Sequence, residues 1–233
     1  MDVPAQPAPI APFARDEDLI EGVRADGVPR WRVYPWPGET LVLGRGSRAD
    51  REVHLERCRA DGIELRRRRG GGCAVLLDRG NAVVSAVFPL PGMGRIDRAW
   101  RIGLDWLRAG LAGAGCPGIR VRGISDLARD DRKVGGSCLY RARDLVFFTA
   151  SLLVRADPER IERYLKHPPR EPGYRAGRSH RDFVTSLGGP EATAAGLARD
   201  LARSLAETAP EIPGFSAWDE AILVPDDPRG MPV

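Results

Sequence analysis

Two apolar runs, NAVVSAVFPL at 81–90 and DLVFFTASLLV at 144–154, limit the fold of this chain more than any other feature. Both have strand composition, and the second is the strongest strand signal in the chain. CAVLLD at 73–78 leads into the first run, and the intervening Arg79-Gly80 reads as a hairpin turn. PRWRVYPW and ETLVLGRG look like two more strands around a turn at Pro37-Gly38. Helical stretches lie between the strands. RDEDLIEGVRADG and DREVHLERCRADG predict short helices. RIDRAWRIGLDWLRAGLAG is amphipathic, with Ile96, Trp100, Leu104, Leu107 and Leu111 spaced as a core face. DPERIERYL has a capping Asp157 followed by Pro158, a good helix start. PPREPGYRAGRSHR reads as loop, and EATAAGLARDLARSLAET as a helix. Strands and helices alternate irregularly. That predicts an α+β fold with a mixed or antiparallel sheet and flanking helices, not a doubly wound one.

The Pro- and Ala-rich residues 1–14 are expected to form a flexible tail, with one domain over 15–233. No apolar run reaches the roughly 20 residues of a membrane span, and no signal peptide is visible, so a cytoplasmic protein away from membranes is expected. Cys58, Cys73, Cys116 and Cys138 form no C-x-x-C pair, and the three histidines are scattered, which argues against structural zinc. The formal charge of +4 rests on arginine and calls for no nucleic acid partner.

Two stretches could carry chemistry. RRRRGGGCAVLLDRGN, 66–81, sets three glycines behind four arginines. Glycines let backbone approach a ligand closely, successive N–H groups can cradle an anion, and guanidiniums add bidentate donors. No G-K-[ST] follows, so this is not a Walker loop. The plainer alternative is a basic turn. DDRKVGGSC holds Lys133. Of 36 cationic side chains only Lys133 and Lys166 are lysine. A lysine is a compact point charge, able to touch a phosphate and a carbonyl oxygen in one reaction, and the adjacent glycines clear space for it. The plainer alternative here is a surface lysine in a turn.

Taken in order, RRRGGGCAVLLDRGN, SDL at 125–127, DRKVGGSC and FTASLL at 148–153 resemble the motifs of the lipoate–protein ligase catalytic domain. That family belongs to the lipoyl/biotin ligase and octanoyltransferase superfamily. Its series is R-R-x-x-G-G-G-x-V-x-H-D-x-G-N, N-D-L, G-R-K-[IV]-x-G-S-A and H-H-G-T-L-L. TLVLGRG and GRSHRDFVTSL are similar to its flanking motifs, so the likeness runs from about residue 17 to 210. The resemblance implies the ligase catalytic-domain fold. It makes Lys133 the catalytic lysine, contacting acyl carbonyl and phosphate, with Gly136 and Ser137 beside it and Asp126 in the N-D-L position. Aligned without a gap to Asp78, Arg67 and Arg68 match the arginine pair, Gly71 and Gly72 the first two glycines, and Cys73 the third. A slide by one keeps Gly70 to Gly72 but needs an insertion; both registers stay open. Leu77 replaces the family His, Ser125 the Asn of N-D-L, and Thr149 the second His of H-H-G-T. These changes touch the acyl and nucleotide pockets.

The implied reaction joins ATP, with Mg2+, and lipoate into lipoyl-adenylate, then moves the acyl group to a lysine of an apo lipoyl-carrier domain. Many relatives carry a further small C-terminal domain, which is not expected here. A separate accessory subunit, a dispensable domain and a different reaction are the three explanations. One alternative is an octanoyl or lipoyl transferase using a Cys thioester without ATP. Neither family position for that thiol holds Cys: one is Leu145 and the other Gly118, with Cys116 two places away. The other alternative is a non-catalytic binding homologue. Without structure, all four thiols read as inert.

Overall fold

The computed structural model describes residues 10–92, 94–208 and 222–223. The two apolar runs become neighbours at the middle of a large sheet. β6 (Asn81–Pro89) and β10 (Leu145–Leu153) pair antiparallel along their whole lengths. The sheet continues as β11 (Ile222–Leu223), β2 (Arg30–Pro35), β6, β10, β9 (Arg132–Ala142), β8 (Asp126–Arg129) and β7 (Arg120–Arg122). Only β11 with β2 is parallel. A smaller sheet has the order β1 (Ala11–Pro12), β4 (Glu64–Arg67), β3 (Thr40–Leu43) and β5 (Val75–Leu77). Its β1–β4 and β4–β3 pairs are parallel and its β3–β5 pair antiparallel. The helices are α1 (Asp18–Asp26), α2 (Ala49–Glu52), α3 (Leu55–Ala60), α4 (Ile96–Gly113), α5 (Pro158–Tyr164), α6 (His180–Phe183) and α7 (Ala194–Thr208). This is the α+β class the sequence predicts.

Both faces of β6 are covered, which is why its sequence does not alternate. Val84, Ala86 and Phe88 pack against Trp106 and Leu107 of α4 and Leu201 and Leu205 of α7. On the other side Val87 meets Leu19, Ile20 and Val23 of α1. Val83 meets Val42 and Leu77 of the small sheet. The small sheet in turn packs Leu41, Leu43 and Leu76 against Ile161 and Tyr164 of α5 and Phe183 of α6. The two sheets are thus held against each other by continuous apolar contact.

Several local expectations change. Arg79-Gly80 closes no hairpin: β5 pairs with β3, and β6 with β2 and β10. The chain instead crosses between sheets there, and Arg155 N donates to Gly80 O at 3.0 Å to fix the crossing. The turn at Pro37-Gly38 likewise joins β2 and β3, which lie in different sheets. The helix expected over DREVHLERCRADG divides into α2 and α3, because Val53 is extended and bridges Leu165. Ile96 starts α4 but is 41% exposed, not core. Ala11 and Pro12, expected in the tail, form β1, and Phe13 N donates to Arg67 O at 2.7 Å. Residues 1–9 of that tail and most of the Pro-containing end after 208 lie outside the described residues. Among the described residues no helix is long and apolar enough to cross a membrane.

Gly103 of α4 tests the tightness of this core. A Cβ there would stand 2.6 Å from Cδ2 of Phe148 on β10. Gly103→Ala gains up to about 1 kcal/mol of helix propensity, while overpacking costs roughly 1–3 kcal/mol. The clash is expected to win, and a thermal melt should show a lower Tm. An unchanged or raised Tm would contradict this packing.

Candidate active site

A β-bulge places the lysine. Asp126 pairs with Gly136 and Leu127 with Gly135, but Ala128 then pairs with Lys133, leaving Val134 as the extra residue. In a regular strand, residues three apart point to opposite faces. The extra residue turns Lys133 onto the face of Gly136, whose missing side chain makes room: a Cβ there would lie 3.0 Å from Lys133 Nζ. Lys133 Nζ pairs with Asp126 Oδ1 at 2.6 Å. Tyr174 OH donates to the other oxygen, Asp126 Oδ2, at 3.0 Å. Burial, then the Asp126 charge, push the Tyr174 phenol well up, so it stays a donor. The lysine main chain is held too, with Thr185 N donating to Lys133 O at 2.8 Å. Ser137 uses both its N–H (3.0 Å) and its hydroxyl (2.9 Å) to hold Ser125 O.

Lys133, Asp126, Gly136, Ser125 and Ser137 line the polar end of a cavity of about 270 Å³ between the two sheets. Val42, Val75, Leu77, Val83, Leu153, Ile161 and Phe183 supply apolar wall. Thr149 lies on the wall as well, with its Oγ1 3.3 Å from the Ser85 Oγ. Ser85 donates to the buried Asp16, which accepts from Tyr34 and pairs with Arg32. The wall at Thr149 therefore rests on a buried polar network.

The glycine loop closes one side. Gly70 is buried, and a Cβ there would meet Cys138 Sγ at 2.6 Å. Gly72 adopts a positive φ of 91°. Its carbonyl presses so closely on Gly44 that a Cβ on Gly44 would overlap it. The Arg68 guanidinium ties the loop down, donating to Gly71 O (2.7 Å), Cys73 O (2.8 Å) and Val42 O (2.9 Å). Arg67 donates to Gly44 O (2.8 Å) and Ser47 O (2.9 Å). Both arginines thus hold main chain. Glu52, buried beneath, accepts from Ala74 N (2.6 Å) and the Ser47 hydroxyl (2.9 Å). Arg68, Gly72, Cys73, Ser125, Asp126, Lys133, Gly136, Ser137 and Thr149 all line the cavity. Arg67, Gly70, Gly71 and Asp78 do not. Asp78 instead accepts from Gly80 N at 2.7 Å in the crossing turn.

Other lining residues were not singled out by sequence reasoning: Glu52, Lys166, Arg170, Arg175 and His180. The scarcity of lysine pointed to Lys166 as much as to Lys133, and both lysines reach this one cavity. Glu52 sat in an amphipathic stretch, and Arg170, Arg175 and His180 in or beside a loop, with no spacing to mark them. Arg175 is 4% exposed, lies 4.8 Å over the Phe183 ring, and donates through Nε to Arg178 O at 2.9 Å. Burial and then the Arg175 charge push His180 down to about 4, so its ring is neutral near pH 7. Burial raises all four thiols: Cys58, Cys73, Cys116 and Cys138. Among the described residues no group of three His, Cys, Asp or Glu could hold a metal.

Known proteins match the chain by sequence and by fold. Residues 8–203 match the family described as lipoyl protein ligase A/B catalytic domain. A protein of Aeropyrum pernix, provisionally called lipoate-protein ligase A, is 33% identical over 151 residues. That stretch covers 65% of this chain and 56% of the relative, so the chain spans just over half the relative's length. Among solved structures, a bi-partite lipoate protein ligase of Thermoplasma acidophilum, studied with its E2 lipoyl domain, superposes with a TM-score of 0.68 at 23% identity. The match covers 82% of this chain and 76% of that one. A lipoate-protein ligase A bound with ATP gives 0.66 at 22% identity, over 81% and 77% of the two chains. At these identities the structures share the fold. The family match extends over the strands that build the lysine cavity, and the chain belongs to the lipoyl protein ligase A/B catalytic domain family.

Proposed function

We propose that the chain is the catalytic unit of an ATP-dependent lipoate–protein ligase. One observation carries this reading: a lysine ammonium, held by Asp126, stands at the polar end of an apolar-walled cavity beneath a glycine loop. In the first step a lipoate carboxylate oxygen attacks the α-phosphorus of ATP. The bond to the pyrophosphate oxygen breaks, leaving lipoyl-adenylate and pyrophosphate. In the second, a neutral lysine amine of the carrier attacks the acyl carbonyl, AMP departs with the bonding pair, and the amine's proton passes to solvent. Negative charge grows first on phosphate oxygens and then on the carbonyl oxygen. A pre-positioned ammonium stabilises both without reorganising. Asp126 acts as the positioning residue that aims it. The apolar wall suits the acyl chain and its ring. Lys166, Arg170 and Arg175 add positive charge along the same cavity, as a triphosphate substrate requires.

Mg2+ enters as part of the triphosphate substrate. Among the described residues the cavity offers it no free carboxylate: Asp126 is engaged by Lys133 and Tyr174, and Glu52 by Ala74 and Ser47. The phosphate oxygens are then its main ligands. The acceptor is an apo lipoyl domain.

The thioester reading is less well supported. A nucleophilic thiol needs a lowered pKa, and burial raises every thiol here. Cys116 belongs to the core beside α4, and Cys138 packs on Gly70.

Incubation with ATP, lipoate and an apo lipoyl domain should add the mass of a lipoyl group to the domain and release pyrophosphate. Lys133→Ala should lower this rate by about 10²–10³ or more. Lys133→Arg should fail as well, because a planar fork cannot replace a compact ammonium beside Gly136. Retention of most activity by either variant would remove Lys133 from the chemistry. Cys73→Ala and Cys116→Ala should keep turnover, apart from packing effects of order 1 kcal/mol. A hydroxylamine-sensitive acyl group on the protein, formed without ATP, would favour the transferase instead.

A further inference from the structure

A second cleft, of about 770 Å³, lies on the other side of the glycine loop. Arg68 lines both cavities, so the two adjoin there. Five arginines border this cleft: Arg45, Arg67, Arg68, Arg69 and Arg141. Among the described residues only Arg69 has a carboxylate partner, Glu17 at 3.0 Å. Arg67 and Arg68 donate to main-chain carbonyls of the loop region, and Arg141 donates to Leu90 O at 2.6 Å. Carbonyl contacts satisfy donors but leave the charge in place. One carboxylate facing five guanidiniums is a standing positive potential, and it favours an anionic partner.

The cleft is not only charged. Its border includes Leu139, Tyr140 and Ile96, and Ile96 is one of two large apolar side chains exposed among the described residues. Arginine and tyrosine around an apolar centre is the composition of a protein-binding patch, not of a site for a bare ion.

The neighbouring active cavity says which protein fits. An acyl acceptor must bring a lysine to a cavity already lined by Lys133, Lys166, Arg170 and Arg175. Like charges repel the approach, and an acidic surface around the acceptor lysine offsets that repulsion only if the enzyme offers it a basic dock nearby. We propose that the arginine cleft is the docking surface for the acidic face of the acceptor domain. The proposal rests on the acyl-acceptor reading above. It also accounts for the side of the glycine loop that faces away from the acyl cavity.

The test uses the full chain and an apo E2 lipoyl domain as probe, with binding followed by calorimetry. The variant is Arg45→Glu/Arg69→Glu; both side chains are exposed and neither lines the acyl cavity. Wild-type binding should weaken markedly between about 50 and 300 mM salt, as screening shortens the reach of the charges. The double variant should bind at least tenfold more weakly at low salt. Its lipoate-dependent exchange of pyrophosphate into ATP should match wild type, because neither Arg45 nor Arg69 lines the acyl cavity. Equal affinity of variant and wild type, or no binding by wild type, overturns the docking proposal. So does tight inorganic triphosphate binding that the double variant loses while lipoyl-domain affinity is untouched. Absence of exchange in wild type with intact, salt-sensitive docking would instead overturn the ligase reading alone.

Discussion

The ion pair between Lys133 and Asp126 depends on one irregularity of the backbone. Without the extra residue at Val134, Lys133 would lie on the opposite face from Gly136 and away from Asp126. The bulge needs a strand on each side to hold it. β10 fixes the far edge of β9, and the 184–185 segment fixes Lys133 itself. β10 in turn needs β6, and β6 is kept in place by α4 and α7 on one face and by α1 and the small sheet on the other. The core of the molecule is thus a support for one ammonium.

The glycine loop is the second part of the design, and it is built by close approach. Gly44 and Gly72 touch through backbone, Gly70 meets Cys138, and Gly136 meets Lys133. Of the arginines that precede the loop, Arg68 binds its carbonyls and Arg67 binds those of Gly44 and Ser47, so both hold main chain. Glu52 supplies the matching anchor from below. A loop tied at this many points is preorganised, which is what charge stabilisation in a transition state requires.

Strand and helix positions were largely legible from composition and period, and so was the lysine, through its rarity and its glycine neighbours. Pairing was not. Arg79-Gly80 is a turn and Gly38 a bend, but such a signal does not say whether the next strand returns to the same sheet or crosses to another. Ile96 carries the right spacing for the core, yet it stands at the end of α4 beside an open cleft. Arg67 and Arg68 were visible as chemistry-bearing residues, but only the fold reveals that their donors face main chain. Glu52, Arg175 and His180 converge from distant segments, and convergence leaves no trace in spacing along the chain.

The scarcity of lysine makes the central claim directly measurable. Labelling lysine alone with 15N gives two ammonium signals, from Lys133 and Lys166, and Lys166→Arg assigns them. On adding a non-hydrolysable lipoyl-adenylate analogue, the Lys133 signal should shift strongly as its ammonium meets carbonyl and phosphate oxygens. A Lys133 signal that stays in place while the analogue binds would contradict the account.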